Sequence, residues 1–286
     1  MSFYCKFALY LFCICLIYLH LFLYLLFTYK INNMLANQRR EKILDLLKED
    51  GFAKVNDLAR LFKVTEVTVR QDLEKLESEG LILKEHGGAS IKNVEDQVRS
   101  FSLQRQENLE QKSAIAQKCL EFIENGDTII LDSGSTTTEI AKRLKGLKQL
   151  TVITNALNIA LLLGADPDIE VIMTGGEFKP PTLSLTGQKA ADFFKGLNVQ
   201  KLFLATAGIS LKAGLTYPSI SDLVVKKAMI EAAEVTYLVA DSTKVGKSAL
   251  ASLGALSLID YIITDDNIEE KHKEVFRENE IEVIIA

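Results

Sequence analysis

Two groups of residues in this chain have types and spacings that could do chemistry. The first is a hydroxyl-rich turn, Asp132-Ser133-Gly134-Ser135-Thr136-Thr137-Thr138, which follows an apolar run and leads into a helical one. In such a turn free amides, a helix N-terminus and side-chain hydroxyls converge, and together they can cradle a phosphate. The same residues serve equally well as plain helix caps, and local sequence supports both readings. Three more polar turns follow apolar runs: Thr154-Asn155, Gly175-Gly176-Glu177 and Asp241-Ser242-Thr243-Lys244. Lys244 alone reads as a surface lysine, but in this company it can supply positive charge to a phosphate. There is no GxGxxG and no GxxxxGKS/T, so neither dinucleotide nor ATP binding is indicated and no cofactor is expected. The second group is Thr65, Glu66, Thr68, Arg70 and Gln71, exposed and polar at the start of an expected helix. Arg can pair bidentately with guanine, and Gln with adenine. Lys84, His86 and the amides of Gly87 and Gly88 follow at a glycine tip suited to phosphates. Four Cys and three His without a CxxC pair exclude a structural zinc site and a disulfide scaffold.

The elements that must position these residues fall into two regions. From 111 to 286, seven apolar strands are expected: Thr128–Asp132, Thr151–Thr154, Glu170–Gly175, Lys201–Gly208, Val235–Asp241, Tyr261–Asp265 and the terminal IEVIIA. Helices fit at Thr136–Lys145, Ala156–Leu163, Gln188–Lys195, Ser219–Ala232 and Asn267–Glu274. Near-continuous apolar strands joined by helices imply a mostly parallel sheet covered on both faces. Ligands bind such sheets at the strands' carboxyl ends, where the polar turns lie.

From 34 to 93 the pattern is a winged helix-turn-helix. A helix from Asn37 to Lys48 ends at Gly51, and VNDLARLF makes a second that turns at Lys63 and Val64. Thr65 caps a third, ended by Gly80, with Val69, Leu73 and Leu76 on its inner stripe. A short strand, a tip at Gly87 and Gly88, and a return strand complete the wing. The third helix is the recognition candidate, its first residues meeting base edges in the major groove. A charged three-helix module without DNA is the plain alternative. The segment 37–93 holds eleven Lys+Arg and eleven Asp+Glu, so binding needs segregated charge and a dimer. Residues 94–110 form a polar connection.

Composition sets the outer bounds. With 48% hydrophobic and 25% charged residues, the 286-residue chain buries a core. A net charge of −5 excludes bulk-charge binding of nucleic acid. Residues 1–33 stand apart. Phe7–Phe27 is apolar but for His20 and long enough to span a bilayer, and Lys30, Arg39, Arg40 and Lys42 follow it. Yet 25 of these 33 residues are Phe, Tyr, Ile, Leu, Asn or Lys, the products of AT-rich codons, as translated non-coding DNA would give. The favoured expectation is a start at Met34 and a cytoplasmic protein. The alternative is an inner-membrane anchor with a cytoplasmic body.

The run VNDLARLFKVTEVTVRQDLEKLESEGLILKEHGGA resembles the N-terminal signature of the DeoR family of bacterial transcription regulators. The family usually carries Arg-Arg-Asp-Leu where this chain has Arg70-Gln71-Asp72-Leu73, a departure that bears on base preference. DSGSTTTEIA, TNALNIA, MTGGEFKP, SLTG, VKKAMIEAA and VADSTKVG resemble the family's sensor domain. The resemblance implies a Rossmann-like α/β domain related to ribose 5-phosphate isomerase, binding a phosphorylated sugar. It would place the phosphate on Gly134, Ser135, Thr136 and Thr137. Asn155, Gly175, Gly176 and Lys244 would line the rest, with Asp241 positioning the loop. It further implies a repressor of a carbohydrate-utilisation operon that binds double-stranded operator DNA as a homo-oligomer. The rival is a sugar-phosphate isomerase. Isomerisation needs a general base, and the isomerases keep acids in the turn that here reads Ala205-Thr206-Ala207-Gly208-Ile209-Ser210. Asp222 lies nearby but reads as a helix cap. A non-catalytic sensor is therefore expected.

Overall fold

The computed structural model describes residues 36–50, 52–85, 87–91, 107–180 and 182–286, with side chains for all of these but 48–50, 52 and 91. The apolar run 1–33, His86 and residues 94–106 of the polar connection lie outside the described residues. No helix among the described residues is long and apolar enough to cross a membrane.

The chain first builds a small helical unit. In α1 (Ala36–Asp50) Ile43, Leu46 and Leu47 recur at helical spacing and are buried. After the short β1 (Phe52–Lys54) comes α2 (Val55–Phe62), which buries Val55, Leu58 and Ala59. Lys63 adopts a left-handed conformation (φ 52°) and closes α2, and Thr65 then caps α3 (Glu66–Ser78) by accepting from the Thr68 amide at 3.2 Å. Val69, Leu73 and Leu76 of α3 complete one core with Ile43, Leu47 and Leu58. The wing is β2 (Ile82–Glu85) and β3 (Gly88–Ile91), antiparallel as expected. The sheet has a third member that the sequence reading lacked: β1 pairs antiparallel with β3, giving the order β1-β3-β2. Three residues show no readable alternation. The strand forms because pairing satisfies the backbone groups on β3's open edge.

A carboxylate lies in this core. Asp72, 3% exposed on the inner face of α3, accepts from Arg39 Nε at 2.5 Å and faces Arg40 Nη1 at 3.5 Å. The pair ties α1 to α3 across the apolar contacts.

The larger domain opens with α4 (Leu109–Cys119), then β4 (Thr128–Leu131), α5 (Ser135–Ala141), β5 (Leu150–Thr154), α6 (Leu157–Leu163) and β6 (Ile169–Met173). A hairpin follows, β7 (Glu177–Lys179) and β8 (Ser184–Thr186), then α7 (Gln188–Asp192), β9 (Val199–Leu204), β10 (Gly208–Ser210) and β11 (Gly214–Tyr217). The rest is α8 (Ser221–Ala232), β12 (Ala233–Val239), β13 (Ala251–Gly254), β14 (Tyr261–Thr264), α9 (Glu270–Glu278) and β15 (Glu282–Ile285). All seven expected strands enter one parallel sheet in the order β15-β14-β12-β9-β4-β5-β6. Side chains alternate between its faces. Ile129 and Leu131 of β4 and Phe203 of β9 pack against Ile115 of α4 and Ile140 of α5. Ile130, Leu202 and Leu204 pack on the other face with Val225 and Met229 of α8. The hairpin and the antiparallel sheet β10-β11-β13 were not expected. Their strands are only 3 or 4 residues long, too short for a periodic signal.

Asp72 is the buried carboxylate that Arg39 and Arg40 share, and removing it breaks both contacts. Asp72→Ala should therefore lower urea-measured stability by about 3–5 kcal/mol. Glu66→Ala, which breaks only the exposed pair with Arg70, should stay within about 0.5 kcal/mol.

Candidate nucleic-acid interface and effector site

The outer face of α3 carries the second group of residues. Thr65 and Thr68 turn their hydroxyls to each other at 2.9 Å, so both mainly hold the helix start. Glu66 and Arg70 form an exposed pair at 3.0 Å, and Gln71 stands exposed beside them. Lys84 Nζ lies 3.3 Å from Glu74 and 3.9 Å from Glu77, while its amide donates to Glu77 at 3.2 Å. A phosphate at Lys84 has to compete with two carboxylates. Gly87 is exposed at the wing tip, and its carbonyl accepts from the Val55 amide at 2.9 Å. Gly88 is buried, in register with both Lys54 and Glu85. The structure thus leaves Gly87, not Gly88, open at the tip.

The first group of residues lies along the carboxyl edge of the large sheet. The chain runs outward from β4 through β5 to β6, then returns to β9 on the other side of β4 and runs outward again. This reversal opens a crevice between β4 and β9, the place where such sheets take ligands. Asp132 ends β4 there with no exposure. Its Oδ2 accepts from Lys226 Nζ of α8 at 2.5 Å and from the Ala205 amide at 3.1 Å. Lys226 lies 4.7 Å above the ring of Tyr217, whose hydroxyl donates to the Ala205 carbonyl at 2.7 Å. Burial pushes the Asp132 carboxyl up from its ordinary value, and Lys226 opposes that shift. Burial, with Asp132 nearby, also holds the Tyr217 phenol well above its ordinary value.

Gly134 seats the start of α5 against this point. A Cβ there would lie 2.6 Å from the Ala205 Cβ, so any other residue displaces the loop. The Gly134 carbonyl accepts from the hydroxyls of Thr137 at 3.1 Å and Thr138 at 2.6 Å. Thr137 is fully buried and serves the helix, whereas Ser135 is partly exposed. Asn155, after β5, donates to the Leu185 carbonyl at 3.1 Å. Gly175 and Gly176 are exposed after β6, and Gly176 (φ +130°) leaves no room for a Cβ, 2.6 Å from the Thr186 carbonyl oxygen. After β12, Asp241 accepts from the Thr243 amide at 3.2 Å and from Asn108 at 3.2 Å, shaping the turn that carries Lys244. Buried Lys112 of α4 feels the charges of Asp241 and Lys244, and burial depresses its pKa from the ordinary value. Asp265, after β14, takes the Ser242 amide at 2.6 Å and hydroxyl at 2.8 Å. Burial alone would raise the Asp265 carboxyl, but these donors and Asn267 hold it below the ordinary 3.8.

Four buried side-chain atoms among the described residues lack a partner: Asn155 Oδ1, Thr174 Oγ1, Asp241 Oδ2 and Thr264 Oγ1. Each follows or ends a strand of the parallel sheet at its carboxyl edge. Such groups cost roughly 1–3 kcal/mol each when left unpaired, so their common place along one edge marks that edge as suited to polar ligand or water. The edge is wide. β6 and β12 stand four strand spacings apart, roughly 19 Å, so their loops must lean inward for Gly176 and Lys244 to meet one small ligand.

The family model described as DeoR-like helix-turn-helix domain matches residues 39–95, and that described as DeoR C terminal sensor domain matches residues 107–266, more than half of the chain. The chain belongs to the DeoR family. It is 33% identical over 253 residues to the HTH-type transcriptional regulator GolR of Listeria innocua serovar 6a, covering 88% of this chain and 100% of that one. It is 31% identical over 232 residues to the glycerol-3-phosphate regulon repressor of Escherichia coli K12, covering 81% of this chain and 92% of that one. Among solved structures, ribose 5-phosphate isomerase A from Neisseria gonorrhoeae aligns with a TM-score of 0.36 at 18% identity, covering 48% of this chain and 53% of that one.

In this DeoR-family chain the sequence reading missed Lys226, Tyr217, Asp265, Asn108 and Lys112. Lys226 did leave a signal: a lysine in the buried stripe Val225, Lys226, Met229, Ala232 of α8. The others needed contacts distant in sequence. Asp222, expected as a helix cap, instead pairs with Lys179 at 3.0 Å. Among the described residues no cluster of His, Cys, Asp or Glu could hold a metal ion.

Gly134→Ala should leave the far-ultraviolet circular dichroism spectrum intact and lower the melting temperature, because the added Cβ pushes the loop off Ala205. Asp265→Asn tests the turn. A depressed carboxylate pKa adds stability above its unfolded value and loses it as pH falls through the folded value. The variant should melt below wild type at pH 7, and the gap should narrow below pH 3.8.

Proposed function

We propose that this chain is a repressor whose grip on operator DNA is set by a phosphorylated sugar. The observation that carries the reading is the pairing, in one chain, of two separate surfaces. One is a capped α3 with a polar outer face; the other is a parallel sheet whose unpartnered buried polar atoms collect at its carboxyl edge. Regulators at 33% and 31% identity support the DNA half, and the word glycerol-3-phosphate in one relative's name supports a phosphorylated effector. The domains taken are 34–93 for DNA, 94–110 for the connection and 111–286 for sensing.

In this reading α3 enters the major groove, with Arg70 and Gln71 at base edges and Gly87 of the wing beside the backbone. The Glu66–Arg70 pair is exposed and weak, so guanine or phosphate can take Arg70 from it. Two copies present two α3 helices to paired half-sites. The effector's phosphate sits at Ser135 and Thr136, with Lys244 as cation, and the sugar hydroxyls meet Asn155. Only a ligand with different affinity for the two states shifts DNA binding, and a coupling of about 1–3 kcal/mol changes affinity about 5–150-fold. The protein works in the cytoplasm, where the DNA is.

Fluorescence anisotropy tests this directly. The full chain is titrated at fixed salt onto DNA from its own upstream region, with and without a panel of sugar phosphates. Specific binding released by one of them is expected. Absence of specific binding would refute the regulator reading, and binding indifferent to every sugar phosphate would refute the effector. Arg70→Ala should abolish operator binding and keep effector binding. Lys244→Ala should keep DNA affinity and blunt the effector response; an unchanged response removes Lys244 from the site.

A further inference from the structure

We infer that α3 reads an adenine–thymine step, with Gln71 on the adenine edge and Val67 against the methyl group of a nearby thymine. The inference rests on the operator-binding reading above and adds the base chemistry that α3 selects. Its ground is what each side chain on the outer face is already doing. The Thr65 and Thr68 hydroxyls bond to each other, and Thr65 also takes the Thr68 amide. Glu66 and Arg70 bond to each other. Gln71 makes no side-chain hydrogen bond among the described residues, so its amide keeps both a donor and an acceptor for a base edge. Adenine presents the matching acceptor and donor in the major groove.

Val67 is the second observation. It is 61% exposed at the second residue of α3, while Val69, two positions on, is fully buried. An apolar side chain at the leading end of this helix lies among the residues that meet base edges. The apolar group that the major groove offers is the thymine methyl. Val67 and Gln71 are four residues apart, so they share one helix face, separated along the axis by about 6 Å. That exceeds the 3.4 Å between base pairs, so the two reach neighbouring or next-neighbouring pairs.

The test begins with duplexes that the full chain enriches from a random library at fixed salt. Each thymine is then replaced singly by deoxyuridine, which removes only the 5-methyl group, and affinity is read by anisotropy. Wild type should lose about fourfold at one position per half-site, the worth of one buried methyl group. Val67→Ala should bind the unmodified duplex more weakly and show no further loss with deoxyuridine at that position. Gln71→Ala should lose about 5–150-fold of its preference for adenine one or two pairs away. Both residues are exposed, so melting temperatures should match wild type and separate these effects from misfolding. Indifference to deoxyuridine at every position overturns the Val67 assignment, as does an undiminished loss in Val67→Ala. Retained adenine preference in Gln71→Ala overturns the Gln71 assignment. Enrichment of no sequence at all overturns the operator reading itself, a distinct result.

Discussion

The Asp132 carboxylate, enclosed at the end of β4, sets the geometry of the crevice between β4 and β9. A buried charge persists only with a partner, and this one takes Lys226 and the Ala205 amide together. Three elements remote in sequence are thereby pinned: the end of β4, the end of β9 and the first half of α8. The start of α5 is seated by the close approach of Gly134 to Ala205, and Tyr217 closes the far side beneath Lys226. The polar turns along the edge take their places from this point outward. Asn155 holds β8, and Asp241 with Asp265 shapes the turn of Lys244.

The DNA-binding unit uses the same physics at smaller scale. Asp72 sits in the core stripe of α3 and draws in Arg39 and Arg40. Two cations that read in the sequence only as positive charges following the apolar segment thus hold α1 against α3. The consequence reaches the outer face. With its inner stripe fixed by Asp72, Val69, Leu73 and Leu76, α3 presents Val67, Arg70 and Gln71 on a rigid support. A segment of no net charge can then recognise DNA by the placement of a few side chains rather than by bulk attraction.

The sensor edge and the connection also share atoms. Asn108, the first residue before α4, adopts a left-handed φ of 51° and donates to Asp241 and Thr243. Lys112 donates to the Glu107 carbonyl at 2.6 Å. The point where the chain leaves the connection is therefore fastened to the turn that carries Lys244.

The helix-turn-helix, the seven strands of the parallel sheet and the edge on which the polar turns fall are all legible in the order of the amino acids. These follow from periodicity, capping and turn chemistry, which act over a few residues: Thr65 caps α3 as its type implies, and Gly80 follows the helix end. The sequence also singled out Gly134 and Asn155, because both stand in the polar turns that follow apolar runs. Tertiary packing sets strand order, and with it the crevice between β4 and β9. It alone brought Lys226 to Asp132 across 94 positions, took Asp222 to Lys179 and enclosed Gly88. These depend on which surfaces pack together, and a buried charge finds its partner by proximity in space, for which neighbours in sequence carry no signal.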